Sequence, residues 1–276
     1  KVQYLEMLRF PPMVTPMTQY PTIVERSCDV VIFEEMMRIA VKKLERQFSA
    51  ELVVTGNPGV GKSRFYLYCA FRLIRGQAEG VVDLSKYALV LNYDDLYHQY
   101  CPRRQAFLGL SETEAIPVPN VIRLVDEESS RLRGWNGVSI LFASLEVRGM
   151  RKFAREGLFI MPIWTLRELQ TSNALLKGNS KLSEDELKAR YDMYGGVPRR
   201  IFAPCQGGFE RDLMTAVNCV DVLELLDLVA NRKFVNAVNM SDRILGMVPM
   251  EKYFNFFHRL EFLSIKIAGR VVEKAQ

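Results

Sequence analysis

Short apolar runs alternate with helical patterns along most of the chain. Five runs have the composition of buried strands, and they lie near residues 51–55, 87–91, 121–125, 138–143 and 158–161. Between these runs, apolar residues recur every three to four positions, as they do on one face of an amphipathic helix. Strands that alternate with helices predict a three-layer α/β/α sandwich built around a parallel sheet.

The two ends of the chain depart from this alternation. Residues 1–22 include the proline-rich segment PPMVTPMTQYP, which predicts an extended arm or linker. Residues 30–48 have the spacing of an amphipathic helix, and residues 181–276 are mainly helical in pattern. We therefore expect an arm at 1–22, an α/β core at 23–180 and a helical lid or C-terminal module at 181–276.

Helix starts are marked by capping boxes, in which Ser or Thr is followed three positions later by Glu. The pattern occurs at residues 111–114, 165–168 and 183–186. The first predicts a short helix inside a loop at residues 100–119. The helix after Ser183 would end at Gly195 and Gly196, because glycine is common just past a helix C-terminus.

Residues 56–63, GNPGVGKS, match the GxxxxGK[ST] phosphate-loop pattern at every fixed position. They lie between an apolar run and a helical stretch, which is the context that this motif requires. Because glycine lacks a Cβ, the backbone can bend sharply and approach an anion closely. The loop N–H groups and the helix N-terminus would face phosphate. Lys62 would reach the β- and γ-phosphates, and the Ser63 hydroxyl would bind Mg2+. The predicted nucleotide-binding residues are Gly56, Asn57, Pro58, Gly59, Val60, Gly61, Lys62, Ser63 and Arg64.

An acidic pair follows the third apolar run, VIRLV. Asp126 would hold Mg2+, usually through water, and Glu127 would orient the attacking water. Asp94 and Asp95 form a competing pair after the second run. In the additional-strand class of phosphate-loop NTPases the acidic strand comes one βα unit later, which favours Asp126 and Glu127. The charge of Arg123 inside the apolar run has no explanation in the sequence, because a charge in a central strand needs a partner.

Two further candidates follow the fourth apolar run. Ser144 ends that run, at the position that carries a polar sensor of the γ-phosphate in this NTPase class; a simple turn serine is the alternative. Basic residues then recur on a predicted helix, and their simplest interpretation is a solvated basic face. The alternative is that Arg148 or Arg151 acts as an arginine finger on a neighbouring subunit.

Composition narrows the class of protein. The chain has 276 residues, 49% hydrophobic and 25% charged, as in an ordinary globular protein with one large domain or two modest ones. The net charge of +5 permits contact with nucleic acid or another polyanion without requiring it. No apolar run approaches the ~20 residues that span a bilayer, so we expect no membrane partner.

Cysteine usage and the N-terminus bear on the compartment. The five cysteines show no CxxC spacing, which argues against a disulfide framework or a zinc site and fits a reducing compartment. The sequence begins with Lys1 rather than Met and shows no signal-peptide pattern. We expect trimmed ends, which could have included targeting segments.

Four phrases together resemble the NTPase module shared by crinkler effectors and retrotransposon hot spot proteins. They are GNPGVGKSRFYLYCAF, FIMPIWTLRELQ, RYDMYGGVPRRIF and, more weakly, FLSIKIAGRVVEK. The phosphate loop alone is generic, whereas the order MPIW and then YGGVPR is far more specific. The resemblance runs from about Tyr20 to the C-terminus.

The resemblance implies an AAA+ or STAND-like ATPase fold, and secreted effectors that act inside host cells, often in the nucleus. Many members carry a restriction-type nuclease domain after the NTPase module, and this sequence contains no nuclease motif. Arg199 matches the arginine of the Gly-Gly-x-Pro-Arg signature, which would serve as a second sensor that reaches the γ-phosphate. The alternative is a helix-start arginine that pairs with a nearby acid.

The sequence therefore predicts Mg2+-dependent binding and hydrolysis of ATP, with Lys62, Glu127, Ser144 and Arg199 as catalytic residues. Nucleotide turnover would be coupled to DNA or a host protein, and self-association is a further expectation. The first alternative is a switch that binds nucleotide without hydrolysing it. A small-molecule kinase with acids after the second strand is another alternative, and a GTPase is least favoured because the chain has no NKxD motif.

Overall fold

Eleven strands and nine α-helices form the part of the chain that the structure, a computed structural model, describes: residues 2–6, 22–76, 82–93, 96–126, 135–143, 157–231, 241–250, 252, 254 and 258–275. The strands are β1 (Val2–Glu6), β2 (Thr22–Arg26), β3 (Ala50–Thr55), β4 (Ala88–Tyr93), β5 (Leu96–Cys101), β6 (Ala106–Leu110), β7 (Val121–Asp126), β8 (Gly137–Phe142), β9 (Gly157–Ile160), β10 (Leu245–Pro249) and β11 (His258–Phe262). The helices are α1 (Ser27–Glu45), α2 (Lys62–Ile74), α3 (Glu112–Ala115), α4 (Leu166–Leu175), α5 (Glu184–Tyr194), α6 (Pro198–Ile201), α7 (Gly207–Cys219), α8 (Val222–Asn231) and α9 (Ile265–Ala275).

The chain divides into two compact units. The sheet unit contains Gln3–Thr55 and Lys62–Phe159, and the C-terminal unit contains Lys1–Val2, Gly56–Gly61 and Ile160–Gln276. The phosphate loop therefore groups with the C-terminal unit, although its flanking strand and helix belong to the sheet unit. The boundaries predicted at residues 22 and 180 stay a prediction.

A seven-stranded sheet in the order β6-β5-β4-β7-β8-β3-β9 organises the sheet unit. The ladders β4–β7, β7–β8 and β3–β8 are parallel, whereas β5 and β6 continue the sheet with antiparallel pairing. Strand β8 lies between the strand that precedes the phosphate loop and the strand that ends in Asp126. This insertion is the feature for which the additional-strand class of NTPases is named. The predicted α/β fold class is confirmed.

Helices α1 and α2 cover one face of the sheet. They contact each other through Phe33 and Tyr68, whose ring centroids are 6.0 Å apart, and α2 packs Tyr66 against Phe142 of β8 at 5.6 Å. The side chains of Val53, Val125 and Leu141 form a cluster, and a second cluster joins strands β4, β5 and β7 to α3. The members of that second cluster are Val90, Tyr97, Ala115, Val121 and Trp135.

Two predicted elements differ from the structure. The helix predicted at 30–48 spans Ser27–Glu45, and Phe48 is 60% exposed rather than part of the apolar face. The reason is local, because Gln47 has a φ of 56°, a left-handed conformation that ends the helix. The region predicted as a loop at 100–119 contains the end of β5 and the whole of the antiparallel strand β6, and its capping box begins the short helix α3 as predicted.

The predicted arm is also partly ordered. Its first residues form β1, which pairs with β2 in a two-stranded sheet, and residues 7–21 lie outside the described part of the chain. Tyr68 of α2 donates a hydrogen bond of 2.7 Å to the Glu25 carboxylate of β2. Arg72 of α2 also contacts that carboxylate, at 3.3 Å. The sheet unit thus includes residues that precede the predicted core at residue 23.

The C-terminal unit is built mainly from α4 to α9, as predicted for its helical pattern, and it has its own apolar core. Leu169, Leu187, Ile201, Leu213 and Ile267 lie in this core with less than 2% of their surface exposed. The antiparallel hairpin of β10 and β11 was not predicted. No described helix combines the length and the apolar character that crossing a membrane would require.

The MPIW and YGGVPR phrases meet inside this unit. The Trp164 N–H donates a hydrogen bond of 2.8 Å to the Gly196 carbonyl oxygen. A Cβ on Gly196 would lie 1.8 Å from the Trp164 oxygen, and one on Gly195 would lie 2.2 Å from the Leu263 oxygen. Gly195 also has a φ of 68°, which side chains rarely adopt. The two glycines are therefore required by close contact of three backbone segments.

We expect Gly196→Ala to lower the free energy of unfolding by about 3 kcal/mol or more, at the upper end of overpacking effects, because the clashing atoms are backbone. The matched control is Gly269→Ala, inside α9, where a Cβ meets nothing within 4 Å. That variant should gain up to ~1 kcal/mol from higher helix propensity. Urea denaturation measures both, and equal midpoints for the two variants would contradict this account.

Candidate functional site

Asp126 ends β7 at the edge of the sheet from which the phosphate loop departs. It is 3% exposed, and the parallel registers align it with Phe142 of β8 and, through Phe142, with Val54 of β3. At the usual strand spacing, Val54 and Asp126 are separated by roughly 10 Å. The strand order thus brings the acid near the start of the loop, which is the geometry expected of a metal-holding carboxylate.

The competing acidic pair and several predicted catalytic residues lie outside the described residues. These are Asp94, Asp95, Glu127, Ser144, Arg148 and Arg151. Strand β4, which Asp94 and Asp95 follow, ends at Tyr93, aligned with Asp126 of the neighbouring strand. The preference for Asp126 and the roles of Glu127 and Ser144 stay predictions.

Helix α2 begins at Lys62, so Lys62, Ser63 and Arg64 form its first turn and are partly exposed. The N–H groups of a first helical turn point outward and carry partial positive charge, which attracts anions. That turn contains no acidic residue that would offset this charge. The helix start is therefore suited to bind phosphate.

The residues present fit a magnesium ion. Ser63 and Asp126 would supply hard oxygen ligands, and Mg2+ commonly uses one or two such protein groups and keeps several waters. The hydroxyls of Thr55 and Tyr66 are buried, and within the described residues neither has a hydrogen-bond partner. Burial, together with the nearby Asp126 carboxylate, raises the pKa of Tyr66 well above its usual value. Hydrated metal would provide partners for such hydroxyls.

The phosphate loop itself has the predicted glycine geometry. Gly59 and Gly61 have φ values of 85° and 115°, a region that disfavours other residues. The Val60 N–H donates to the Asn57 carbonyl oxygen at 3.1 Å and closes a tight turn. A Cβ on Gly59 would lie 2.7 Å from the Cβ of Arg199, so glycine is needed for packing as well as for curvature.

Trp164 belongs to the MPIW segment, and no pattern in the sequence predicts a role for its side chain. In the structure its indole N–H donates a hydrogen bond of 2.9 Å to the Val60 carbonyl oxygen of the phosphate loop. The Asn57 side chain forms a second set of bonds with backbone groups of β10 and the residues just before it. Both contacts support the loop through groups that a ligand would not need.

The two adjacent arginines of the YGGVPRR phrase have different environments. The Arg199 N–H lies 3.4 Å from the Gly59 carbonyl oxygen, and the Arg199 side chain is exposed. Arg200 is only 9% exposed and donates a hydrogen bond of 3.2 Å to the Arg243 carbonyl oxygen. Burial lowers the pKa of Arg200. Only Arg199 therefore has a side chain free to meet a ligand at the loop.

A cavity of about 190 Å³ lies beside these arginines in the C-terminal unit. It is lined by Pro58, Arg199, Arg200, Phe209, Asp212, Leu213, Asp242 and Arg243. Arg243 is 3.8 Å from the Asp212 carboxylate, and Arg200 is held by its backbone contact. Among the residues that the structure describes, no ion pair joins Arg199 to an acid, and both of its predicted roles stay predictions.

Arg123, which the sequence left unexplained, is enclosed by aromatic and amide groups. It is fully buried, donates a hydrogen bond to the Asn92 side-chain oxygen, and lies 3.8 Å from the centroid of the Trp135 ring. Tyr97 stacks on Trp135 at 5.8 Å and also contacts the guanidinium. Burial lowers the pKa of Arg123 to about 10, so the side chain keeps its charge at neutral pH.

Comparison with known proteins gives two distant relatives. Crinkler effector protein 15 of Phytophthora infestans is 27% identical over 215 residues, which cover 73% of this chain and 33% of that protein. Crinkler effector protein 16 of the same organism is 27% identical over 195 residues, covering 67% and 30%. The chain thus spans about a third of the length of these relatives. No protein-family profile matches it.

Solved structures that align with this chain include two that each cover more than two thirds of it. A RuvB mutant of Thermogota maritima aligns over 69% of this chain and 63% of its own, with 9% identity and a TM-score of 0.35. The ORC2 protein of Aeropyrum pernix, in its ADP form, aligns over 86% and 81%, with 14% identity and a TM-score of 0.41. Because both TM-scores are below 0.5, the fold assignment rests on the strand order and the phosphate loop of this chain. The predicted similarity to crinkler effectors is confirmed, and the similarity to retrotransposon hot spot proteins stays a prediction.

A double-mutant cycle tests the enclosure of Arg123. Trp135→Leu alone leaves a buried charge without its aromatic face, and we expect it to lower the free energy of unfolding by about 3–5 kcal/mol. In an Arg123→Met background the same change should cost about 2 kcal/mol less, because the cation–π contact is already gone. A control cycle with Trp164→Leu should be additive within about 0.5 kcal/mol. Additivity in the Trp135 cycle would show that the two side chains do not interact.

Proposed function

We propose that this chain binds Mg·ATP at residues 56–63 and hydrolyses it by in-line attack of water on the γ-phosphorus. One observation carries the proposal: a complete phosphate-loop motif sits between β3 and α2, and a single strand separates β3 from the strand that ends in a buried aspartate. The loop geometry at Gly59 and Gly61 supports it. Hydrolysis would break the bond from the γ-phosphorus to the bridging oxygen, and release ADP and phosphate.

In this proposal the chain supplies position and charge. Lys62 and the loop N–H groups would hold the β- and γ-phosphates, while Ser63 and Asp126 would hold Mg2+. The ion would neutralise charge that develops on the phosphate oxygens. Glu127 would orient water, Ser144 would contact the γ-phosphate, and Arg199 would add positive charge. Groups already in place before reaction stabilise charge without the cost of reorganisation.

The similarity to crinkler effectors supports a proposal about context. We infer that the chain is the NTPase module of a secreted effector that acts inside a host cell, in the nucleus and in a reducing compartment. Nucleotide turnover would be coupled to DNA or to a host protein, and an arginine finger at Arg148 or Arg151 would require self-association. The net charge of +5 is compatible with a polyanionic partner.

A second candidate is a nucleotide-dependent switch that does not hydrolyse ATP. The observation that favours it is the grouping of Gly56–Gly61 with the C-terminal unit, which gives the loop a direct structural link to helices and a hairpin beyond the sheet. Tight ATP binding with negligible phosphate release and a nucleotide-dependent partner would favour the switch over the enzyme.

The main test separates binding from turnover. Lys62→Ala should abolish ATP binding, measured by calorimetry, because it removes the cation that faces the phosphates. Glu127→Gln should bind ATP normally and lose turnover by about 100-fold or more, since the amide cannot accept a proton. If wild type and both variants release phosphate at the same rate, the activity does not belong to this site.

A second test addresses Arg199. Arg199→Ala should lower kcat at least about tenfold and leave the affinity for ADP unchanged, because its charge would meet the γ-phosphate only. Arg103→Ala, at an exposed turn of the sheet unit, is the matched control and should change neither. Arg200→Ala should instead lower stability, because that side chain is buried. An unchanged kcat in Arg199→Ala would remove it from the catalytic residues.

A further inference from the structure

The Asn57 side-chain amide forms hydrogen bonds through both its nitrogen and its oxygen, and the partners are backbone groups within β10 or shortly before it. Its Nδ2 donates to the Leu245 carbonyl oxygen at 2.8 Å and lies 3.2 Å from the Asp242 carbonyl oxygen. Its Oδ1 accepts a hydrogen bond of 3.0 Å from the Met247 N–H. Asn57 is 2% exposed, so these bonds are shielded from water. The side chain of the second residue of the phosphate loop therefore forms hydrogen bonds with the backbone of β10, as an adjacent strand would.

From this arrangement we propose that Asn57 is a positioning residue that ties the phosphate loop to the β10–β11 hairpin, so that the hairpin responds when the loop holds a polyphosphate. The tie is a property of the C-terminal unit, which contains both segments. The response to polyphosphate rests on the proposed function; the tie does not. The hairpin would be the element that reports the nucleotide state.

Three features make the tie specific. Both polar ends of one amide are used, so neither an apolar residue nor a charged one of the same size could replace it without a buried unsatisfied group. The bonds join residues more than 180 positions apart, as the separations of 185, 188 and 190 show. The loop is also held from a second direction by the Trp164 indole N–H. Movement of the loop would therefore be transmitted to β10.

The chain contains a matched control for this contact. Asn173, in α4, is 4% exposed and bonds in the same way to a single backbone residue: its Nδ2 donates to the Leu182 carbonyl oxygen at 2.8 Å, and its Oδ1 accepts from the Leu182 N–H at 2.9 Å. Asn173→Ala removes the same kind of bonds from the same unit without touching the phosphate loop. It measures the purely structural cost.

Hydrogen exchange of the Met247 N–H gives a direct readout, because that proton is held by Asn57. Without nucleotide, Asn57→Ala should speed its exchange at least about tenfold, the factor expected from loss of a buried hydrogen bond. Asn173→Ala should leave it unchanged and speed exchange at the Leu182 N–H instead. If Met247 exchanges equally fast in wild type and Asn57→Ala, the tie does not exist.

The second part of the experiment measures hydrogen exchange of the hairpin in wild-type protein with and without nucleotide. Saturating Mg·ADP should slow exchange across residues 245–249 and 258–262 at least about threefold, and AMP, which lacks the β-phosphate, should not. Asn173→Ala should keep this protection, whereas Asn57→Ala should lose it even at saturating Mg·ADP. Unchanged hairpin exchange in wild type saturated with Mg·ADP overturns the inference. Absence of any Mg·ADP binding in wild type would refute the proposed function and the response, and the nucleotide-free arm would still decide the tie.

Discussion

Close contact between backbone segments that leave no room for a Cβ is the constraint on which the C-terminal unit depends. Gly196 meets the Trp164 oxygen, and Gly59 of the phosphate loop meets the Cβ of Arg199. A Cβ on Gly56 would lie 2.8 Å from the Met161 oxygen. The loop, the MPIW turn and the YGGVPR turn are thus packed at backbone distance. This gives a physical reason why these three phrases occur together in one chain.

Hydrogen bonds then fix what the close packing permits. Trp164 uses its backbone N–H on Gly196 and its indole N–H on Val60, so one residue holds both the glycine turn and the phosphate loop. Asn57 adds bonds to β10. Buried bonds of this kind contribute modestly when made and are costly when broken, which favours a single loop conformation. A loop that is already held in one conformation can bind an anion without the entropic cost of becoming ordered.

The sequence was sufficient for features that depend on local pattern. All five predicted strands are present within a few residues, and the phosphate loop lies between strand and helix as predicted. Strand β5 was missed because its residues, LYHQYC, mix polar and aromatic side chains, and β6 was missed because its short run, AFLGL, contains a glycine, which is uncommon in strands. The β10–β11 hairpin was missed because its connection, residues 250–257, is longer than a tight turn and contains no short turn motif such as Asn-Gly.

The roles of residues that depend on distant partners could not be predicted from the sequence. Arg123 looked like a misplaced charge, because nothing in its own strand shows that Asn92 and Trp135 surround it. Such enclosure offsets the cost of burying a guanidinium through hydrogen bonding and an aromatic face. Trp164 and Asn57 are similar cases, since each is defined by a bond to a segment far away in sequence. The sequence could identify the phosphate-loop motif but not the distant residues that hold it in place.

The hydrogen bonds and close contacts that hold the phosphate loop bear on the choice between an enzyme and a switch. A loop that is held rigidly contacts the β-phosphate of ATP and ADP in the same way, and a ligand shifts an equilibrium only by its differential affinity for the two states. Contacts to the β-phosphate, which both nucleotides share, therefore cannot distinguish them, and the difference would have to come from groups that reach the γ-phosphate. Arg199 is the exposed cation whose backbone lies against Gly59, so a γ-phosphate would have to act through it or through residues of the sheet unit. Within the C-terminal unit, Arg199 is thus the residue that would distinguish ATP from ADP in the proposed site, and the hairpin tied to Asn57 would respond to either nucleotide.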